Sequence, residues 1–153
     1  MLGSLARKLR IFGFDTLYFR EGKDSELKAL ARRQGRTILT SDSDLFRSSI
    51  GGGLNAFLIV GRTDRARLLS LQKQTGMALA RKGPGRASRC AVCNGELSVV
   101  SKSQISNEDV PPKVLERHRL FFQCRSCSRL YWRGSHWKRL RPLSRALGTK
   151  PLT

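Results

Sequence analysis

Four cysteines constrain this chain more than any other feature: Cys90-x-x-Cys93, thirty intervening residues, then Cys124-x-x-Cys127. A two-residue gap lets both thiolates of a tight turn point at one metal ion, while the amides of the turn soften their charge. Two such knuckles complete a tetrahedral four-thiolate site with no open position, which suits structural Zn2+ rather than catalysis. Thirty residues exceeds the usual gap of about 15–20, and an inserted loop around Asp109-Val110-Pro111-Pro112 accounts for the excess. The competing use of four cysteines is two disulfides, which need an oxidising compartment that nothing in the sequence supports. The spacing therefore predicts a zinc ribbon in the C-terminal part of the chain.

The segment after the second knuckle interleaves aromatic and basic residues. Trp132 and Trp137 stand among Arg129, Arg133, His136, Lys138 and Arg139. Stacking faces combined with phosphate-neutralising cations are what single-stranded RNA binding requires. The same tryptophans are equally suited to fill the small core of a ribbon, which needs every apolar side chain it can bury. Both roles stay open at this point. His136 is not needed as a zinc ligand, because four thiolates already fill the shell.

The charge points to the same kind of partner. Thirty Lys and Arg against eleven Asp and Glu give a formal net charge of +19. Such an imbalance implies a polyanion, with RNA, single-stranded or ribosomal, the first candidate. Residues 1–80 carry 14 basic and 7 acidic side chains, whereas residues 81–153 carry 16 and 4. The excess in the second part is more than solubility needs. A membrane is not expected as partner: no apolar run approaches the roughly 20 residues of a span, and no secretory signal opens the chain. The missing signal suggests a cytoplasmic protein. Its oligomeric state is not written in the sequence.

The first half alternates helical and strand patterns. Leu2, Leu5, Leu9 and Phe12 recur at helical spacing, with Arg7, Lys8 and Arg10 largely on the other faces and Gly13 as terminator. Thr16–Phe19 reads as a short strand. A helix begins near Asp24 and ends at Gly35, and buried strands are expected at Thr37–Thr40 and Ala56–Val60. Another helix runs from about Thr63 to Gln74. Ser48–Gly53 reads as a flexible loop that lacks the lysine and hydroxyl of a phosphate loop. Strands separated by helices predict an α/β fold with a parallel sheet. The Gly-, Pro- and Arg-rich stretch 81–88 reads as a linker between a first domain, 1–80, and a zinc-ribbon domain with a basic tail, 89–153.

In so basic a chain the few carboxylates are informative. Asp42 and Asp44 follow directly on the strand ending at Thr40, where sites form in open α/β sheets. Asp24 begins the second helix. Three carboxylates converging there would hold Mg2+ or Mn2+, ions that prefer oxygen ligands and retain waters. The bland alternative is local: Asp24 as a helix N-cap, and Ser41-Asp42-Ser43-Asp44 as a helix start or turn.

Residues 1–18 (MLGSLARKLRIFGFDTLY), Thr40–Leu45 (TSDSDL), the paired knuckles and Tyr131–Trp137 (YWRGSHW) together resemble the Mut-seven C-terminal ribonuclease family. The resemblance implies a PIN-like sheet flanked by helices joined to a zinc ribbon, and metal-dependent RNA cleavage. In it Asp24, Asp42 and Asp44 match acidic positions. In that family a first strand ending in an aspartate precedes the Met-Leu-Gly helix, whereas here the chain begins at that Met. The expectation is that the true start lies upstream of an internal methionine, and that the chain as given lacks or nearly lacks nuclease activity. The alternative is a non-catalytic RNA- or ribosome-binding protein that has lost the strand. A DNA-binding zinc-ribbon factor ranks third, since no recognition helix is evident.

Overall fold

A computed structural model describes residues 2–79, 88–106 and 108–147. The expected linker lies outside the described residues except for Ser88, as does the end of the basic tail. The fold is mixed α/β, with one small parallel sheet and a separate antiparallel sheet. The chain divides into two compact units. The first takes Met1–Ala6 and Leu17–Met77, the second Arg7–Thr16 and Ala78–Thr153. Residues 7–16 thus group with the cysteine module rather than with the sequence around them.

Helix α1 spans Gly3–Ile11. Its helical apolar spacing buries Leu5, Leu9 and, just beyond its end, Phe12. Gly13, at φ +92°, ends it, and the Phe14 amide reaches back to the Leu9 carbonyl. One of the cations departs from the expected pattern: Arg10 is buried, at 6% exposure.

In the first unit, α2 (Asp24–Gln34) is closed by Gly35 in the left-handed conformation. The amides of Gly35 and Arg36 return to the carbonyls of Arg32 and Ala31, which satisfies the last turn. Strands β1 (Ile38–Thr40) and β2 (Ala56–Leu58) pair in parallel, with Ile38 opposite Ala56 and Thr40 opposite Leu58. Between them runs α3 (Ser43–Gly51), which makes a βαβ crossover. The supposed loop at Ser48–Gly53 is therefore corrected: most of it is the last turn of α3 and its cap. Ser49 is buried there with its hydroxyl donating to the Leu45 carbonyl at 2.7 Å, so a serine-rich run remains helical. Ala31, Ile38, Leu54 and Ala56 form the buried cluster, with Leu27 and Phe46 packed against it. Helix α4 (Asp64–Thr75) starts on a Thr63 cap and stops at Gly76.

The strand expected at Thr16–Phe19 does not form. The Thr16 amide is taken by the side-chain oxygen of Asn94, at 3.0 Å, instead of by a neighbouring strand. β-propensity without a ladder partner is not enough to make a strand.

In the second unit, β3 (Leu97–Val100), β4 (Phe121–Cys124) and β5 (Leu130–Trp132) form an antiparallel sheet in the order β3-β4-β5. Between the knuckles lies more than an inserted loop. A 3₁₀ turn (Lys102–Gln104) and helix α5 (Pro112–Arg117) bring Val110 and Leu115 onto Phe121. Val110, inside the supposed loop, is 1% exposed and belongs to the core. Trp132 packs on this cluster with its ring 6.4 Å from that of Phe121. Helix α6 (Ser135–Ala146) follows and carries Pro142 within it.

Candidate functional site

The two knuckles are built alike. In each, the amide of the first cysteine donates to the carbonyl five residues on: Cys90 to Gly95 at 2.8 Å, Cys124 to Arg129 at 2.9 Å. The carbonyl of that same cysteine accepts from the amide four residues on, Asn94 and Ser128, both at 2.9 Å. Asn94 and Ser128 each follow a second cysteine and each adopt positive φ, +69° and +58°. That left-handed step turns the chain back so that both thiols of a knuckle face inward. Further amides point at sulfur: Cys93 at Cys90 Sγ, 3.5 Å, and Ser126 at Cys124 Sγ, 3.4 Å.

The four Sγ atoms lie within 4.8 Å of one another. Cys90 and Cys127 are 3.6 Å apart, Cys93 and Cys124 3.4 Å, and all four thiols are free. A zinc–sulfur bond of about 2.3 Å implies a tetrahedral edge of about 3.8 Å. The spacing thus fits a four-coordinate metal and is far too long for disulfides. The donor set can hold a metal ion such as zinc.

Proton chemistry at the cluster agrees with that reading. Burial raises the Cys90 thiol, but the Cys93 amide, the Tyr131 hydroxyl and the Val92 amide outweigh it and bring the thiol down to about 6. At Cys93 the Gly95 amide favours the thiolate. Burial and the three other sulfurs oppose it and push the thiol up to about 12. Four thiolates at this spacing cannot all be charged without a cation among them. Tyr131 donates its hydroxyl to Cys90 Sγ at 2.9 Å and is itself held above its ordinary value by burial and by that sulfur. The sequence did not single out Tyr131, Asn94 or Arg10 for this site. Only the aromatic–basic run around Tyr131 hinted at it.

The residues read as RNA-binding separate in the fold. Arg129 and Arg133 are exposed, whereas Trp132 is half-buried on the Val110–Phe121 cluster. The packing role is therefore real for Trp132. His136, Trp137, Lys138 and Arg139 fall in the first turns of α6 rather than on the ribbon strand. An open groove of about 430 Å³ runs beside the first knuckle, lined by Asp109, Arg129, Tyr131 and Trp132 among others.

The acidic positions lie in the first unit. Asp42 is the N-cap of α3, just past the carboxyl end of β1. One oxygen, Oδ1, accepts from the amides of Asp44 at 2.7 Å and Leu45 at 3.0 Å. The Leu45 amide first, then that of Asp44, holds the carboxyl below its ordinary value. Asp44, in the first turn of α3, is ion-paired with Arg47 on the exposed face. Asp24 is the first residue of α2 and is not its cap. Lys23 takes that position, its amide bonded to Glu26 Oε2 at 3.1 Å. Among the described residues, the four cysteines make a metal-ligand group and the three aspartates do not.

Among the described residues, a small parallel α/β unit and a paired-knuckle, four-cysteine module that can hold a metal ion define a two-part protein. The chain belongs to the family of the Mut7-C RNAse domain, whose model matches residues 1–143. No curated protein and no solved structure matches it. No helix among the described residues is long and apolar enough to cross a membrane.

Proposed function

We propose that this chain is a metal-dependent ribonuclease with a PIN-like first unit and a zinc ribbon that grips single-stranded or ribosomal RNA. The observation that carries the reading is Asp42. It is an exposed carboxylate, held ionised at the carboxyl end of a parallel strand, in a chain of a ribonuclease family. Its Oδ1 is engaged by backbone amides, which fixes the carboxylate and leaves Oδ2 for a metal ion. Mg2+ and Mn2+ are commonly held through one or two protein carboxylates plus substrate phosphate oxygens and waters. Asp42 with Asp44 or Asp24 fits that mode better than an all-protein cage. Such an ion would polarise the scissile phosphate and acidify a bound water. The protein's own part is to present the carboxylate and align the RNA. Arg129 and Arg133 would neutralise phosphates, and His136, Trp137, Lys138 and Arg139 of α6 are the further residues assigned to RNA in this reading. Zinc is the metal we assign to the four cysteines, and the reducing cytoplasm is where free thiolates of this kind persist.

The test is cleavage of generic single-stranded RNA with Mn2+, comparing the protein with its native N-terminus and the same protein carrying Asp42→Asn. Asparagine keeps the capping oxygen and removes the charge, so fold and RNA affinity should survive while cleavage disappears. Equal cleavage by both proteins would remove Asp42 from the mechanism. One observation favours a second reading, an RNA- or ribosome-binding protein without catalysis: the three aspartates do not assemble into a ligand group among the described residues. That reading predicts salt-sensitive RNA binding and no Mn2+-dependent cleavage by either protein.

A further inference from the structure

A buried cation is costly unless its donors are satisfied, and Arg10 satisfies its own against the backbone of the first knuckle. Its Nε donates to the Thr16 carbonyl at 2.8 Å. One terminal nitrogen, Nη1, donates to the carbonyls of Ala91 at 3.0 Å and Val92 at 2.9 Å. Those two carbonyls are not arbitrary. The Ala91 carbonyl shares a peptide group with the Val92 amide, and the Val92 carbonyl shares one with the Cys93 amide. The Cys93 amide donates to the Cys90 sulfur at 3.5 Å, and the Val92 amide faces the same sulfur closely enough to lower its thiol. The guanidinium therefore grips the carbonyl ends of two peptides whose N–H ends point at a metal-ligand sulfur. Hydrogen bonds linked in this way polarise one another, so the cation strengthens both N–H···S contacts without touching sulfur.

The surrounding contacts hold the arginine's own segment to the knuckle. The Arg89 amide donates to the Arg10 carbonyl at 2.8 Å, and the Ser88 hydroxyl to the Ile11 carbonyl at 2.7 Å. Asn94 accepts from the Thr16 amide and donates to Asp15 at 2.6 Å. All of these residues belong to the second unit.

We infer that Arg10 is a positioning residue of the metal centre, acting through the Ala91 and Val92 peptides, so that the zinc module includes residues 10–16 from the far end of the chain. The inference rests on the four-thiolate reading of the cysteines. Its function is distinct from that of the aspartates. Outer partners of metal ligands are worth roughly 10- to 100-fold in affinity when removed, and the same scale is expected here.

The experiment uses the full chain, with zinc affinity measured by chelator competition and the sulfur-to-metal charge-transfer band read on the cobalt(II)-substituted protein. Arg10→Gln should weaken zinc binding by about 10- to 100-fold and shift the band, because the Cys90 sulfur loses polarised donors. Arg7→Gln, an exposed cation of the same helix, should change neither. Asn94→Gly keeps the left-handed turn and removes the bonds to Thr16 and Asp15. It should weaken zinc binding with a smaller band shift. If Arg10→Gln fails to fold, Arg10→Lys carries the test: a lysine cannot keep the Nε bond to Thr16 while spanning both carbonyls, so affinity should fall and the band move part-way. Wild-type affinity with an unshifted band in the folded Arg10 variant overturns the inference, even if its melting temperature drops. Failure of the wild type to bind zinc would instead overturn the four-thiolate reading itself.

Discussion

Gly95 sits where a single methyl group should damage the metal site. A Cβ at this position would lie 2.8 Å from Cys124 Sγ, 2.5 Å from Ser126 Oγ and 3.0 Å from Ser126 Cβ. Comfortable non-bonded contact is about 3.5–4.0 Å, so the sulfur would have to retreat by roughly 1 Å. The serine hydroxyl can rotate away, but the sulfur has little freedom. It is 3.4 Å from Cys93 Sγ and accepts the Ser126 amide at 3.4 Å. Gly95 cannot back off easily either, since its carbonyl takes the Cys90 amide at 2.8 Å. Metal–ligand distances tolerate only about 0.2 Å, so the two demands conflict. Overpacking of this kind costs about 1–3 kcal/mol, which corresponds to zinc binding weaker by roughly 5- to 150-fold. Chelator competition on Gly95→Ala near neutral pH reads this directly. Adding Ser126→Gly should recover only part of the loss, because the contact with Cys124 Sγ remains. Gly76→Ala serves as the control: it strains a left-handed cap in the first unit with open space around it, and should leave zinc affinity alone. Affinity for Gly95→Ala within twofold of wild type would refute the steric argument.

Three more expectations rest on the same geometry. Asp42 has a depressed folded value, so its contribution is present above the ordinary carboxyl value of 3.8 and is lost as pH falls through the lower folded value. Urea melts at descending pH should show this loss in the wild type and a flatter profile in Asp42→Asn; salt should shrink the difference, since the group is exposed. Gly51, the last residue of α3, has ordinary φ, and a Cβ added there would meet nothing within 4 Å. Gly51→Ala should therefore stabilise the first unit by about 0.5 kcal/mol, seen as a rise of about 2–4 °C in its thermal midpoint. Stripping the metal at neutral pH should abolish the near-ultraviolet circular dichroism of the Phe121–Trp132 pair while the far-ultraviolet signal of the first unit persists. A Trp132 signal that survives chelation would show that the sheet packs without its metal.

How much of the fold and the site is legible in the sequence depends on whether each cause is local. The Cys-x-x-Cys spacing carries its own geometry, because a knuckle closes within six residues, and the four sulfurs converge as that spacing implies. The apolar period of Leu5, Leu9 and Phe12 and the terminators Gly35 and Gly76 are equally local, and each appears where helix rules put it. Errors arise where a distant partner decides the outcome. Thr16–Phe19 has strand-forming residues but no ladder, since Asn94, far along the chain, claims its first amide. Ser48–Gly53 has the composition of a loop, yet burial of Ser49 and its bond to Leu45 extend the helix through it. Arg10 is the clearest case. On a helical wheel it is one of three cations on a polar face, and nothing nearby distinguishes it from Arg7. Its burial is set by two carbonyls about eighty residues away. The acidic site belongs to the same category: Asp42 is legible as a cap from Ser-Asp-Ser-Asp alone, whereas whether other carboxylates join it depends on tertiary placement that a cap signal does not encode. The cysteines specify their neighbours through spacing; the aspartates depend on neighbours that spacing does not bring. The four-cysteine module can therefore be tested on its own metal affinity, and the nuclease reading must be tested on RNA.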